Sequence, residues 1–394
     1  MKVKSIFLSM LAIAALASCS KEEANVDPPV PQGKTRVIEV TIGSGSLSSK
    51  ATGVATNVTD KTISDLTVFG ANSTSGAIIT KKYFSGLTDV TDGKKKVNFE
   101  TTDQTDIIYV IANIGDDLTQ AGEVLGVSNV KGLKNAQASL IVTSPSVAPT
   151  QTEGKVLMSG STTTITGDIG GGNAAEASVD LKFIASKIIL KSLKRDALST
   201  GEYGTDFKLQ NAYLTHVQTS AYYFMDNSSF IGAITSDVRP AITATFATGR
   251  NGVASETEVA DFKEDLATKV SSFAPDDAAT EDIAYWYVFE NSATATPTTL
   301  LIQYVWKETV AGAMDKVMYF PVTFITDDAS KIEPGKAYNV SLTFHGNFKP
   351  TDQGGGGGGG GTDDPDTPIV PGSVDVTVTP ADWGTTNVEK PFGK

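Results

Sequence analysis

Few residues in this 394-residue chain could do chemistry. There are two histidines, His216 and His345, and one cysteine, Cys19. His216 falls in a strand-like run and His345 at the end of another, and neither belongs to an H-E-x-x-H or other paired metal-ligand spacing. A lone cysteine excludes intrachain disulfides, and there is no C-x-x-C pair for thiol chemistry. Asp363, Asp364 and Asp366 crowd together in TDDPDTP. Calcium needs oxygens arranged around a turn, whereas prolines interrupt this stretch, so it reads as a solvated acidic linker. The aromatic run YWYVFE at 285–290 could line a sugar site, but its near-continuous apolar character favours a buried strand. The loop TGDIGGGNAAEAS at 166–178 lacks both glycine signatures of a phosphate cradle. The expectation is a protein that is not an enzyme, with no metal and no cofactor. A net charge of −13 argues against nucleic acid, which needs basic clusters to neutralise phosphates.

Short runs rich in valine and threonine dominate the rest of the chain and predict strands. In the first half they are RVIEVTIG, DLTVFGAN, AIITKKYF, KVNFET, DIIYVIANIG, SLIVTS and KVLMSG, with helical spacing in DDLTQAGEVLGV and NVKGLKNAQASL. The second half opens with VDLKFIASKIILKSLK and continues through FKLQNAYLTHV, DIAYWYVFEN, TLLIQYVW, KVMYFPVTFIT and AYNVSLTFHG. One helix is predicted at SETEVADFKEDLATKVSSF, with Ser255 or Thr257 near its N-cap. Many short strands punctuated by turn signals make the fold mainly β, with two antiparallel β-sandwich domains and a few short helices. The domains are expected at 36–178 and 179–348, meeting at the Gly-rich loop.

The two ends of the chain are unusual. The start, MKVKSIFLSMLAIAALASCSKEE, has Lys2 and Lys4, an apolar run too short to span a bilayer, and small residues before Cys19. It reads as a lipoprotein signal peptide over 1–18, with Cys19 as the lipidated first residue of the exported protein and 19–35 as a linker. At the other end, eight glycines from Gly354 to Gly361 lie within a linker at 349–372, followed by a segment at 373–394. In that segment Val374, Val376 and Val378 alternate with polar residues, as Ile38, Val40 and Ile42 do near the start. Either segment could fill the same kind of slot in a sheet. A domain missing one strand exposes an apolar groove and unpaired backbone groups that another segment can complete. The 23 or so residues of linker span about 25–30 Å as a flexible coil, enough to reach a neighbour or the chain's own surface.

At this point the sequence resembles the fimbrillin family, the major fimbrial subunits of Bacteroidales-type bacteria that build type V pili. The resemblance rests on LASC, SSKATGV, DIIYVIANIG, KVLMSG, KIEPGKAYNVSLTF and VDVTVTPADW in their order along the chain. It implies transthyretin-like sandwiches, export as an outer-membrane lipoprotein to the cell surface, and removal of the first strand by a trypsin-like protease. The C-terminal segment of another copy then enters the opened groove, giving an extracellular fimbrium that supports adhesion. Carried onto this chain, the cut falls between Lys50 and Ala51 and removes Ile38, Val40 and Ile42 with residues 36–50. The donor face is Val374, Val376 and Val378, with Trp383 as an end anchor. Partners are other copies of the chain, accessory fimbrial subunits, the lipid anchor before processing, and the protease. Family members commonly carry Arg at the cut where this chain has Lys50, so the enzyme stays open; Arg36 is the other basic site, but cutting there would leave the strand in place. The rival expectations are an anchor or tip subunit, or a surface lipoprotein that binds glycan or host protein through exposed Tyr285, Trp286 and Tyr287.

Overall fold

The computed structural model describes residues 33–44, 62–90, 94–115, 126–139, 156–167, 175–195, 207–224, 245–270, 283–306, 316–344 and 374–382, apart from 294, 327, 328 and 331. The first half contributes β1 (Thr35–Ser44), β2 (Leu66–Ala71), β3 (Ile78–Phe84), β4 (Thr88–Asp89), β5 (Lys95–Thr102) and β6 (Ile107–Ala112). A short helix, α1 (Val130–Asn135), follows, capped by the Asn129 side chain accepting from the Gly132 amide. Then come β7 (Gln137–Ser139), β8 (Met158–Thr162), β9 (Ile165–Thr166) and β10 (Ala175–Phe183).

All of these strands except β7 form one continuous sheet in the order β3-β2-β6-β8-β10-β1-β5-β4, with β9 beside β10. The sheet folds back on itself at β10, whose first part pairs with β1 while Lys182 and Phe183 pair with β8. One apolar core fills the fold, built from β1, β5 and β10 on one side and Leu66, Val68, Ile108, Val110, Ala112 and Met158 on the other. The fold leaves no room at Gly160 on β8, where a Cβ would lie 2.4 Å from the Asp180 carbonyl oxygen of β10. Gly160→Ala is therefore expected to cost about 1–3 kcal/mol as the backbones are forced apart, measured by denaturant unfolding.

The second half contains β11 (Ser186–Arg195), β12 (Phe207–Thr215), β13 (Val217–Gln218), β14 (Ser220–Tyr222), β15 (Phe246–Thr248), β16 (Thr257–Glu258) and β17 (Lys263–Asp265). Helix α2 (Leu266–Lys269) follows, then β18 (Ala284–Val288), β19 (Thr299–Trp306), β20 (Lys316–Thr323), β21 (Ile325–Thr326), β22 (Ala329–Ser330), β23 (Lys336–Phe344) and β24 (Val374–Asp382). Two four-stranded sheets, β18-β11-β23-β24 and β17-β12-β19-β20, make the second sandwich. Strand β23 buries Tyr338, Val340, Leu342 and Phe344 on one face, and Phe344 meets Phe320 of β20 edge-on at 6.0 Å.

Strands β2 and β6 are buried on both faces. Their second face, with Phe69, Ile107, Tyr109 and Ile111, joins the core of the second sandwich. Tyr109 packs edge-on against Phe224 at 5.5 Å, the Ser159 hydroxyl donates to the Tyr223 carbonyl at 2.5 Å, and β7 pairs with β14. The two sandwiches therefore share an apolar wall.

The fold is mainly β with two sandwiches, as the patterning implies, but several details differ. The sheets are mixed: β1 runs parallel to β10, and β11 parallel to β23. The expected boundary at 178–179 falls inside β10, which pairs wholly with the first half, and the chain crosses at Ile184 and Ala185. The single helix expected over 255–273 is instead β16, a 3-10 turn at Ala260–Phe262, β17 and α2, the last capped by Asp265 rather than by Ser255 or Thr257. Phe262 and Leu266 are buried and keep helical spacing, yet β17 between them pairs with β12. Of the two helical stretches expected earlier, the second forms α1 and then turns into β7, and residues 116–125 of the first lie outside the described residues.

Candidate functional site

The strand expected to be removable is not an edge. β1 lies between β10, parallel to it from Ile38↔Ala175 to Ser44↔Leu181, and β5, antiparallel from Thr35↔Thr102 to Ile42↔Lys95. Period-two alternation turns Ile38, Val40 and Ile42 inward, where all three are fully buried against Val97, Phe99, Val179 and the facing layer. On the opposite face Glu39 accepts from the Lys96 ammonium at 2.6 Å, both side chains being about a third exposed. Burial of the three branched side chains contributes roughly 1.5–3 kcal/mol each, and each ladder hydrogen bond about 1 kcal/mol. The ion pair is partly solvated and is worth at most about 1 kcal/mol. Ile38→Ala is accordingly expected to cost about 2–5 kcal/mol and Lys96→Ala less than about 1 kcal/mol, both read by chemical denaturation.

Arg36 sits inside β1, and its guanidinium donates to the Thr105 carbonyl. Burial pushes it below its usual pKa range, opposed by the carboxylates of Asp103 and Asp106. A protease would have to pull the strand from the sheet to reach it. The other basic site, Lys50, and its neighbour Ala51 lie outside the described residues, as do Cys19 and Trp383.

The C-terminal segment forms β24, antiparallel to β23 along its whole length: Val374↔Phe344, Val376↔Leu342 and Val378↔Val340. Val374, Val376 and Val378, the residues expected to form a donor face, thus stand in a strand at the edge of the second sandwich. The linker 349–372 and its three aspartates are outside the described residues.

The remaining candidates resolve into packing. Within YWYVFE, Trp286 and Tyr287 are buried and only Tyr285 is exposed, with the Lys187 ammonium 4.5 Å above its ring. His216 is not in a strand but between β12 and β13 at φ 52. Its Nε2 lies 3.0 Å from Glu256, and its carbonyl accepts from Asn291 at 3.0 Å and Thr298 at 2.9 Å. This knot ties three loops together, and no sequence signal announces a left-handed histidine. His345 lies outside the described residues. Among the described residues no three His, Cys, Asp or Glu side chains are grouped to hold a metal ion.

Two β-sandwiches joined through a common wall, with the opening strand buried in one and the closing strand on the edge of the other, define a two-domain β protein. A candidate cell adhesion protein from Bacteroides eggerthii superposes with a TM-score of 0.66 at 25% identity, over 91% of this chain and 99% of that one. A candidate cell adhesion protein from Parabacteroides distasonis gives 0.57 at 15% identity, over 90% and 100%. A fimbrilin from Porphyromonas gingivalis gives 0.57 at 16% identity, over 89% and 99%. Residues 215–383 match the family model of the FimA-like major fimbrial subunit protein, C-terminal domain. No curated protein matches the chain. The match over residues 215–383 and the superposition with these proteins support a fimbrillin family for this chain.

Proposed function

We propose that the chain is the polymerising stalk subunit of a cell-surface fimbria, assembled by exchange of β1 for the C-terminal strand of another copy after proteolysis. The observation that carries this reading is the position of β1: central in its sheet, paired on both sides, and supplying three fully buried side chains to the core. A strand so placed leaves a trough with two unpaired ladders when it departs, and such a vacancy is refilled by an extended segment. The nine residues of β24 carry the matching valine face in their sequence. Resemblance to a fimbrilin and to candidate cell adhesion proteins supports the fimbrial and adhesive setting. In this reading Cys19 carries the lipid that holds the precursor at the outer membrane, the cut falls between Lys50 and Ala51, Trp383 anchors the end of the donor, and accessory fimbrial subunits complete the fibre. The role is structural, without catalysis. Because donor and acceptor lie on different surfaces of the same molecule, repetition is head-to-tail and gives an open fibre.

Limited trypsin digestion, followed by mass spectrometry and electron microscopy, tests this. The expected result is a new N-terminus at Ala51 and fibres. Lys50→Gln is expected to abolish both, and fibres from the uncut variant would overturn the processing step.

A further inference from the structure

Direction and register of the donor are written in the two strands. Ile38-Glu39-Val40-Thr41-Ile42 and Val374-Asp375-Val376-Thr377-Val378 match position by position when read in the same direction: branched aliphatic, acidic, valine, threonine, branched aliphatic. Read in opposite directions, the aliphatic positions still coincide, but acid falls on threonine and threonine on acid. An inward face of valines would suffice for burial in either direction. The outward residues carry the added information, since nothing in the core demands them.

The surroundings of β1 fit the same-direction alignment. Asp375 takes the place of Glu39, level with Asn98 and one diagonal from the Lys96 ammonium that Glu39 engages at 2.6 Å. Thr379 falls on Gly43, where a Cβ meets Asp180 Oδ1 at 3.6 Å and the Lys94 side chain at 3.6–3.7 Å, ordinary contacts that admit a side chain. Pro380 falls on Ser44, the last residue of β1, beyond the β5 ladder and at the final Ser44↔Leu181 pair of the β10 ladder, where a strand tolerates a missing amide best. Resting on the strand-exchange reading above, we infer that the tail of a second copy enters the groove in the direction of the strand it replaces. It runs parallel to β10 and antiparallel to β5, with Val374, Val376 and Val378 on the sites of Ile38, Val40 and Ile42, and Asp375 facing Lys96.

Disulfide trapping in the cleaved full-length protein tests this. Its only native cysteine, Cys19, leaves with the cut segment. In the inferred register Asp375→Cys stands directly opposite Asn98→Cys, within disulfide reach of an antiparallel pair, on the solvent face. The reversed direction, or the two-residue slip that sets Val376 on the site of Ile38, puts Thr377→Cys there instead. After trypsin and mild oxidation, the Asn98/Asp375 pair is expected to give a non-reducing ladder that collapses with reductant, and the Asn98/Thr377 pair none. A ladder from the second pair, or from neither pair in preparations that form fibres, overturns the register. A cross-link confined to single chains overturns the second copy as occupant. Absence of fibres from the cleaved, otherwise unaltered protein overturns strand exchange itself, and the register falls with it.

Discussion

Protein beginning at Ala51 and kept too dilute to associate is expected to melt ~10 °C or more below the uncut chain and to bind a hydrophobic dye strongly. The basis is the triple Ile38, Val40 and Ile42, none of which exposes surface in the intact fold. Withdrawing them removes on the order of 10 kcal/mol of gross burial and ladder hydrogen bonding from one sandwich, and a domain of this size loses about 2–4 °C per kcal/mol. A synthetic peptide of residues 372–394 is expected to restore most of the lost stability and displace the dye, because it supplies both the apolar face and the missing hydrogen-bonding groups. Calorimetry with and without the peptide checks this. An unchanged melting curve for the shortened protein would mean that β1 contributes nothing that needs replacing.

Deleting residues 373–394 is expected to abolish fibres completely after trypsin while leaving the uncut monomer folded. The second sandwich keeps β18, β11 and β23 in that sheet and the whole of the opposing one, and its core residues Val340, Leu342 and Phe344 remain on β23. What the deletion removes is the antiparallel cover of β23 from Val374↔Phe344 to Lys336↔Asp382. Circular dichroism, a melting curve and electron microscopy of the cleaved variant separate the two effects. Fibres from the truncated chain would place the donor elsewhere.

Much of this arrangement is legible in the residues, because alternation at period two survives any sheet topology. Ile38, Val40 and Ile42 read as one buried face and are one. The runs DLTVFGAN and DIIYVIANIG read as strands, and β2 and β6 form there; that both their faces are buried, held between two cores, is seen only in the fold. Strand direction is a different matter. Nothing local distinguishes a parallel neighbour from an antiparallel one, so the β1–β10 and β11–β23 pairings come only from the three-dimensional path. The helix expected over 255–273 fails for a related reason. Val259, Phe262, Leu266 and Val270 have helical spacing, but Phe262 and Leu266 reach the core from a 3-10 turn and a four-residue helix flanking a strand that needs β12 as its partner. The boundary misleads because glycine-rich composition marks a loop, and the loop before β10 connects strands of one sheet rather than two domains.

The wall formed by β2 and β6 has a mechanical consequence. A filament of beads joined by tethers bends at every tether, at no greater cost than the entropy of the linker. Here the joint inside each subunit is packed side chain: Phe69, Tyr109 and Ile111 from one half meet the interior of the other. Flexing at that joint would open a gap in a close-packed interior, which proteins resist strongly. The two sandwiches of each subunit therefore move as one stiff body, and whatever compliance a fibre of such subunits has under flow or traction resides outside that joint.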